Sequence, residues 1–531
     1  MDFRSWLKKG FNKWRLALLV FIVIYAFLLL YNLGYIAIQW DEIPHLYGGL
    51  LLAHGQSQAY MATYGYYPPL YDMLTTGYFQ IFGVNAASGR LVAVTFSLLS
   101  TWIVFEFANR TYGPKTALIS SILLGSMPGF FWLSRVAMLE TMLIFFFSLA
   151  LFFFFSWMRF SQNKALILCG LALGVGFLAK YQILVAGLVM IGAILVLGRK
   201  RLRVRFSKFL VLAIIGILVV VPWFLVLYEI NGLGKFGELL YVVQEGGQDR
   251  AVYSTRFGHY TAPIFYLIEM TWPFPDIPVH PISLPIYLLG LLGLGLWAYR
   301  RKTEDKFFLT WFVIVYVFFT LIPNKQWRYV TPLFPVLAIS AANFILFAYG
   351  KAEKVWKSGQ ASLNKKRVIK VAAGLFIIFA AVSVVYSSND AYQMVARDQI
   401  HIPIQEATNY AANHMNQSES IMVVCATNFY NRDMVKFYLQ ADELRQNQVL
   451  QYPEMPVDAF TPNFDVNQVV ALCQGHGVKY VFLYEYGATF PYFNSTLTLH
   501  EVYMELLDSG RFTYVTIFGT SPRTISILSF A

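Results

Sequence analysis

The sequence predicts a polytopic α-helical membrane protein of about eleven spans, followed by a soluble α/β domain. Three observations predict it. Of 531 residues, 57% are hydrophobic and only 13% charged, whereas a soluble domain carries about 25% charged residues. The apolar residues fall in long runs, and about 20 of them suffice to cross a bilayer. From about Ser387 onward the composition turns into that of an ordinary soluble domain. The net charge of +12 lies in Lys and Arg clusters between the apolar runs, where such residues set orientation. It is a topological signal and excludes a nucleic-acid partner. Aromatics at 18% suit side chains that anchor at lipid interfaces.

Taken in order, Met1–Arg15 is basic and the first span, Leu16–Ile38, is followed by no small-residue cleavage site. It reads as an uncleaved signal anchor with a cytoplasmic N-terminus. The further spans are Arg90–Ala108, Thr116–Leu133, Met138–Trp157, Ala165–Leu178, Ile183–Leu197, Phe209–Leu227, Ser283–Trp297, Phe307–Ile322, Tyr329–Ala348 and Val368–Val385. Leu70–Phe82 is too short to cross. Its Leu70, Met73, Leu74, Tyr78 and Ile81 share one helical face, the pattern of a helix lying in the interface. With that segment not crossing, Arg110/Lys115, Arg159/Lys164, Arg199–Lys208, Arg300–Lys306 and Lys351–Lys370 all join the N-terminus on the cytoplasmic side. Were it to cross, every cluster would move outside, against the positive-inside bias.

The outer side then receives Gln39–Gly89, the turns Ser134–Ala137 and Ala179–Gln182, the loop Tyr228–Ile282, the turn Pro323–Arg328 and the C-terminal region. The expected domains are residues 1–386, membrane-embedded, and 387–531, soluble and non-cytoplasmic. In the second, Ile421–Ala426 and Tyr480–Tyr484 read as buried strands, and Phe512–Phe518 with Thr524–Leu528 as a hairpin around Ser521-Pro522-Arg523. Ile404–His414, Arg432–Leu439, Val466–Gln474 and Leu499–Leu507 read as helices between them. No Gly-rich phosphate fingerprint follows the first strand. Cys169 lies in an apolar run, while Cys425 and Cys473 share the C-terminal domain and form a pair only if its compartment is oxidising. Asn416-Gln-Ser418 and Asn494-Ser-Thr496 are sequons whose chance occurrence is the default.

The chemistry concentrates on the outer side. Asp41 and Glu42 stand where the first span ends, and adjacent side chains point about 100° apart on a helix, so the two meet different partners. A partly desolvated carboxylate makes a better general base near neutrality; solvated charges at a span end are the alternative. Glu140 lies inside the first turns of a span, after Arg135 in the turn Ser134–Ala137. An ionisable group at membrane depth is costly and usually functional, although a helix N-terminus also favours a carboxylate. Lys180 breaks an apolar hairpin, and Lys325 and Arg328 open another span on the same face. Arg suits bidentate phosphate binding. His45, Tyr67, Arg90 and Tyr329, with His259 in the long outer loop, are the candidates for substrate contacts. There is no Walker motif, no His-Glu-x-x-His and no Asp-x-Asp. Acids and cations at a lipid surface suit a donor whose phosphate is carried by a lipid.

Together these residues resemble the GT-C glycosyltransferases that use polyprenyl-phosphate sugars, in particular the dolichyl-phosphate-mannose protein mannosyltransferases and the lipid A aminoarabinose transferase. The resemblance rests on Asp41-Glu42 after span one, Tyr67-Pro68-Pro69-Leu70 before the interface helix, Arg90, Ser134-Arg135 with Leu139-Glu140, Lys180, and Arg328-Tyr329 with Pro332 and Pro335. It covers roughly residues 15–350. It implies a GT-C fold and inverting transfer of a mannose-like hexose or other monosaccharide to a hydroxyl of a protein, glycan or lipid. Asp41 is then the base, with Glu42 and Glu140 as further catalytic acids, and Arg135, Lys180, Lys325 and Arg328 hold the lipid phosphate. Any divalent metal would fall to Asp41 and Glu140. Glu140 stands where the family more usually has Asp, and Tyr67 where it has His or Lys, which leaves acceptor and metal open. Such an enzyme is a multi-pass protein of the plasma membrane or an endoplasmic-reticulum equivalent. The competing class is a transporter or flippase of lipid-linked or anionic substrates. That class places ionisable groups near mid-membrane and often shows inverted repeats; here they gather at one face.

Overall fold

A computed structural model describes residues 13–197, 202–234, 236–238, 262–271, 280–358, 362–397, 401–425, 430–441, 445, 447–453, 464–485, 498–521 and 523–531. Each expected span falls mainly on helical segments, and among the described residues six helices have both the length and the hydropathy to cross a bilayer. The chain is a multi-pass membrane protein.

The differences from the expected spans have local causes. The first helix, Lys13–Leu30, stops eight residues before Ile38, because Asn32 takes a left-handed conformation (φ 51°) that ends helices. The third span is two helices, Pro114–Ser126 and Pro128–Leu133, separated by extended Met127. Pro128 has no N–H to continue the first of them and is well placed to start the second. The last span is longer than expected, Leu363–Arg397.

In the membrane unit the helices approach closely where side chains are small. Gly170 and Gly174, four apart on Asn163–Ala179, face the helix Leu202–Asn231. A Cβ on Gly170 would stand 2.8 Å from the Leu212 carbonyl oxygen, and one on Gly174 2.7 Å from that of Gly216. Without a hydrophobic force between lipid-immersed helices, such backbone contact supplies the packing.

Arg110, Arg159 and Arg300, from three of the basic clusters, gather at one end of this bundle. Arg300 clamps buried Asp305 through Nε at 2.8 Å and Nη2 at 2.6 Å. Tyr112 donates to the same carboxylate at 2.8 Å, and Arg159 pairs with Glu304 at 3.7 Å. Arg110 donates to Ser156. The helix Glu140–Phe160 carries Arg159 at this end and Glu140 at the other. Its 21 residues span about 30 Å at 1.5 Å each, the thickness of the hydrocarbon core.

Chain contacts divide the molecule into two compact units: Met1–Tyr31, Met61–Tyr71 and Arg90–Arg397 form one, and Asn32–Tyr60, Asp72–Gly89 and Asp398–Ala531 the other. This grouping differs from a boundary at 386/387. The helix Leu363–Arg397 carries straight through that point, and most of the first outer loop groups with the C-terminal domain. Tyr47 donates to Gln440 at 2.9 Å, and Phe79 packs on Phe437.

The C-terminal domain is a five-stranded sheet, ordered β2-β1-β3-β5-β4, from β1 Ser420–Val424, β2 Val449–Tyr452, β3 Val478–Glu485, β4 Phe512–Thr520 and β5 Arg523–Phe530. β1 lies parallel to both β2 and β3, β4–β5 is the expected hairpin, and its strand β5 pairs antiparallel with β3. The four expected helices form: Ile404–His414, Arg432–Leu439, Val466–Gly475 and Leu499–Asp508. The strand β2 went unforeseen. Cys425 and Cys473 are free thiols inside this domain's core, not a disulfide; burial pushes the Cys473 thiol up to about 12. Asn416 of the first sequon is exposed, and Asn494 of the second lies outside the described residues.

Candidate active site

In the membrane unit, Glu140 begins its helix and Lys180 terminates Asn163–Ala179 in an extended conformation. Lys180 Nζ meets Glu140 Oε1 at 2.8 Å, with the two side chains 16% and 5% exposed. Arg328, in the short helix Trp327–Leu333, is half-buried and close enough to add to the positive field on Glu140. Its guanidinium donates from Nη2 to Gln326 at 3.0 Å and approaches Met138 Sδ at 3.4 Å from Nη1. Two cations around one carboxylate leave a net charge of +1. That balance favours an anion nearby, and the N-terminal end of the Glu140 helix dipole adds to it.

Other expected cations serve the chain itself. Arg135 is buried, and its Nη1 donates to the Leu28 and Leu29 carbonyls at 3.0 and 2.8 Å, satisfying the C-terminus of the first helix. Burial and neighbouring Arg90 lower the Arg135 guanidinium to about 10. Lys325 donates to the carbonyls of Ile322 and Pro323 at 2.7 and 3.3 Å, closing the helix Thr303–Leu321. Arg90 is fully buried near the start of Ala86–Tyr112. Tyr329 receives a hydrogen bond from Asn324 at 3.2 Å, and the Tyr67 ring packs tilted against Tyr66. His259 lies outside the described residues.

In the second unit, Trp40–Glu42 is a single tight turn leading into Ile43–Ala53. The two acids part as expected. Asp41 is exposed, while Glu42 is buried and accepts the backbone N–H of Gln39 at 3.0 Å. Glu42 thereby fixes the turn that displays Asp41. His45 is buried, and its Nδ1 lies 2.8 Å from Asp72 Oδ1. Tyr60 donates to Asp72 Oδ2 at 2.9 Å.

Asp72 and Tyr60 went unnoticed in the sequence. The available signal was Asp72 itself, the one acid in the interface helix Leu70–Phe82. That helix buries Tyr71, Asp72, Thr75 and Phe79 and leaves Met73 and Ile81 exposed. Its outward apolar face is the one expected to meet lipid. Burial pushes the Asp72 carboxyl up, and His45 and the Tyr60 hydrogen bond pull it back down.

A divalent metal does not suit Glu140, because the Lys180 ammonium already occupies its carboxylate and Arg328 adds more positive charge. Among the described residues no three His, Cys, Asp or Glu side chains cluster with metal-holding geometry.

The fold defines a polytopic membrane protein that ends in a small sheet domain. The structure of ArnT from Cupriavidus metallidurans bound to undecaprenyl phosphate superposes with a TM-score of 0.65 over 96% of this chain and 97% of that one, at 16% identity. The Archaeoglobus fulgidus oligosaccharyltransferase superposes at 0.55, over 90% of this chain and 70% of that one, at 13% identity. In sequence, residues 67–225 match the family described as dolichyl-phosphate-mannose-protein mannosyltransferase. An undecaprenyl phosphate-alpha-4-amino-4-deoxy-L-arabinose arabinosyl transferase of Pectobacterium atrosepticum is 24% identical over 310 residues, 57% of this chain and 51% of that protein. An uncharacterized protein of Aquifex aeolicus is 27% identical over 52% of each chain. The chain thus spans about half the length of these sequence relatives.

Proposed function

We propose that the protein is an inverting glycosyltransferase, moving a monosaccharide from a polyprenyl-phosphate donor to an acceptor hydroxyl on the non-cytoplasmic side of the membrane. The observation that carries this is the net-positive Lys180–Glu140–Arg328 cluster, set about 30 Å of helix away from the basic end of the bundle. A lipid-borne phosphate needs cations at the membrane boundary, on the face that normally lacks them. The fold shared with an undecaprenyl-phosphate-bound transferase supports the same reading.

In this reading Lys180 and Arg328 take up the charge that develops on the departing phosphate, the term that dominates in transfers of this kind. Glu140 holds Lys180 in place. Asp41 accepts the proton of the acceptor hydroxyl as its oxygen attacks the anomeric carbon, and the configuration inverts. Arg135 and Lys325 hold the scaffold.

Membranes containing the protein, offered labelled polyprenyl-phosphate sugars, test it. The expected result is a labelled acceptor and free polyprenyl phosphate. Label that crosses the bilayer still attached to its lipid, with no transfer, would refute it in favour of a flippase.

A further inference from the structure

We propose that the C-terminal domain positions Asp41, and that Tyr47 and Gln440 are positioning residues for the transfer. This rests on the glycosyl-transfer reading, with Asp41 as the base. The turn Trp40–Glu42 has no slack toward the helix behind it. Ile43 is the first residue of Ile43–Ala53, and its N–H closes the turn by donating to the Trp40 carbonyl. Buried Glu42 ties the other end by accepting the Gln39 N–H at 3.0 Å. Any shift or rotation of the helix is therefore passed to Asp41.

Two helices grip Ile43–Ala53 from opposite sides. On one side His45 Nδ1 lies 2.8 Å from Asp72, and a Cβ on Gly49 would stand 2.5 Å from Thr75 Cγ2, so Leu70–Phe82 crosses at backbone distance. Tyr47, two residues from both His45 and Gly49, points the other way. Its hydroxyl donates at 2.9 Å to Gln440 Oε1, just past the end of the C-terminal domain's helix Arg432–Leu439. The triangle closes where Phe437 of that helix packs on Phe79 of Leu70–Phe82, with both side chains buried.

The third helix is itself fixed to its domain. Asn431 caps it by accepting the Asp433 and Met434 N–H groups at 3.0 and 3.1 Å, and Gln451 of β2 accepts the Arg432 N–H at 3.1 Å. Gln440 Nε2 donates to the Arg445 carbonyl at 3.1 Å, which aims Oε1 at Tyr47, and Arg445 donates to the Ala412 carbonyl at 2.6 Å. A neutral hydrogen bond adds little net stability, and apolar contact would join the two helices as well. What the Tyr47–Gln440 bond adds is direction. It weakens steeply when the donor turns away, so it fixes the rotation of Ile43–Ala53 and with it the heading of Asp41. The same domain holds the chain ahead of the turn, where the Tyr35 ring stacks on His401 with centroids 5.1 Å apart.

The test uses full-length protein in lipid nanodiscs, with melting temperature, kcat and both KM values measured for each variant. Tyr47→Phe removes the hydroxyl alone, and Gln440→Leu removes its acceptor at similar size. Each should lower kcat about 10-fold, part of the roughly 10²-fold that a 1 Å misplacement costs, with the donor KM unchanged. Combined, the two should be no worse than the more severe single variant, since both remove one bond. The separating measurement is made in the Asp41→Asn background. There Tyr47→Phe should lower the residual transfer no further, because no base is left to misplace. A bond that serves only the fold would cut transfer by the same factor in both backgrounds, and that result overturns the proposal. A lowered melting temperature with unchanged turnover overturns it too. A wild type that transfers nothing overturns the glycosyl-transfer reading and this proposal with it, and an Asp41→Asn protein with normal turnover removes both the base and its positioning. An active wild type with fully active Tyr47→Phe and Gln440→Leu overturns this proposal alone.

Discussion

Lys180→Met separates what the Glu140–Lys180 pair does for stability from what its cation does for the donor. The ammonium and carboxylate are 2.8 Å apart, with side chains 16% and 5% exposed. At that distance and an effective dielectric of roughly 20, their attraction is about 6 kcal/mol, most of it cancelled by desolvation. Removing one partner of such a pair costs about 3–5 kcal/mol, because the other charge stays buried. Lys180→Met strands the more deeply buried group and belongs at the upper end of that range. Glu140→Gln leaves a lysine with an amide to bond to and an exposed flank, and belongs below it. The double variant carries no stranded charge, so it should recover about 2 kcal/mol relative to Lys180→Met. Melting temperatures in detergent, followed by tryptophan fluorescence, should therefore place the double variant above Lys180→Met. Donor binding should order differently: both proteins lacking Lys180 bind donor poorly, whereas Glu140→Gln, with a cation freed, binds it at least as well as wild type. Strictly additive stability losses, or a double variant with wild-type donor affinity, would refute the reasoning.

Arg328→Ala takes the cluster from a net +1 to neutral, and the loss of one cation roughly 6 Å from a phosphate is worth about 3 kcal/mol at the same dielectric. The KM for donor should rise by about 100-fold with acceptor KM unchanged, and Arg328→Lys should restore only part of it, lacking the planar fork; an unchanged donor dependence removes Arg328 from the site. Asp41→Asn should lower transfer by about 10²–10⁴-fold with donor binding intact, whereas Glu42→Gln should act through the turn it caps and be seen in stability as well; near-normal turnover by the Asp41 variant makes Asp41 something other than the base. Gly174→Ala should destabilise by about 1–3 kcal/mol, because the new methyl meets the Gly216 carbonyl oxygen at 2.7 Å and backbone cannot yield cheaply; an unchanged melting temperature would show that the two helices can part. Asp305→Asn should also lower stability, by about 3 kcal/mol, since it leaves Arg300 without its bidentate partner, with both KM values unchanged; a shifted donor KM would mean that the two ends of the bundle are coupled.

Residue types and spacing alone determined the membrane class, the approximate place of the apolar helices, the helix Leu70–Phe82 and the helices of the C-terminal domain. Each of these follows from local hydrophobic periodicity, which a chain carries wherever it folds. The Asp41–Glu42 pair was legible for the same reason: charge beside an apolar run stands out. Tertiary structure decided which charges are spent on the scaffold. The family resemblance offered Arg135 and Lys325 as phosphate ligands, and in the structure both donate to carbonyls at helix ends. The sequence marks where a helix stops but not which distant side chain closes it. The same limit hid Asp72. Its partners His45 and Tyr60 are 27 and 12 residues away, and only the close passage of two helices at Gly48 and Gly49 brings them onto one carboxylate. β2, four residues long, was lost because so short a strand draws its stability from pairing with β1 rather than from its own pattern. Pairing between remote segments is a property of the packed chain, and no local window contains it.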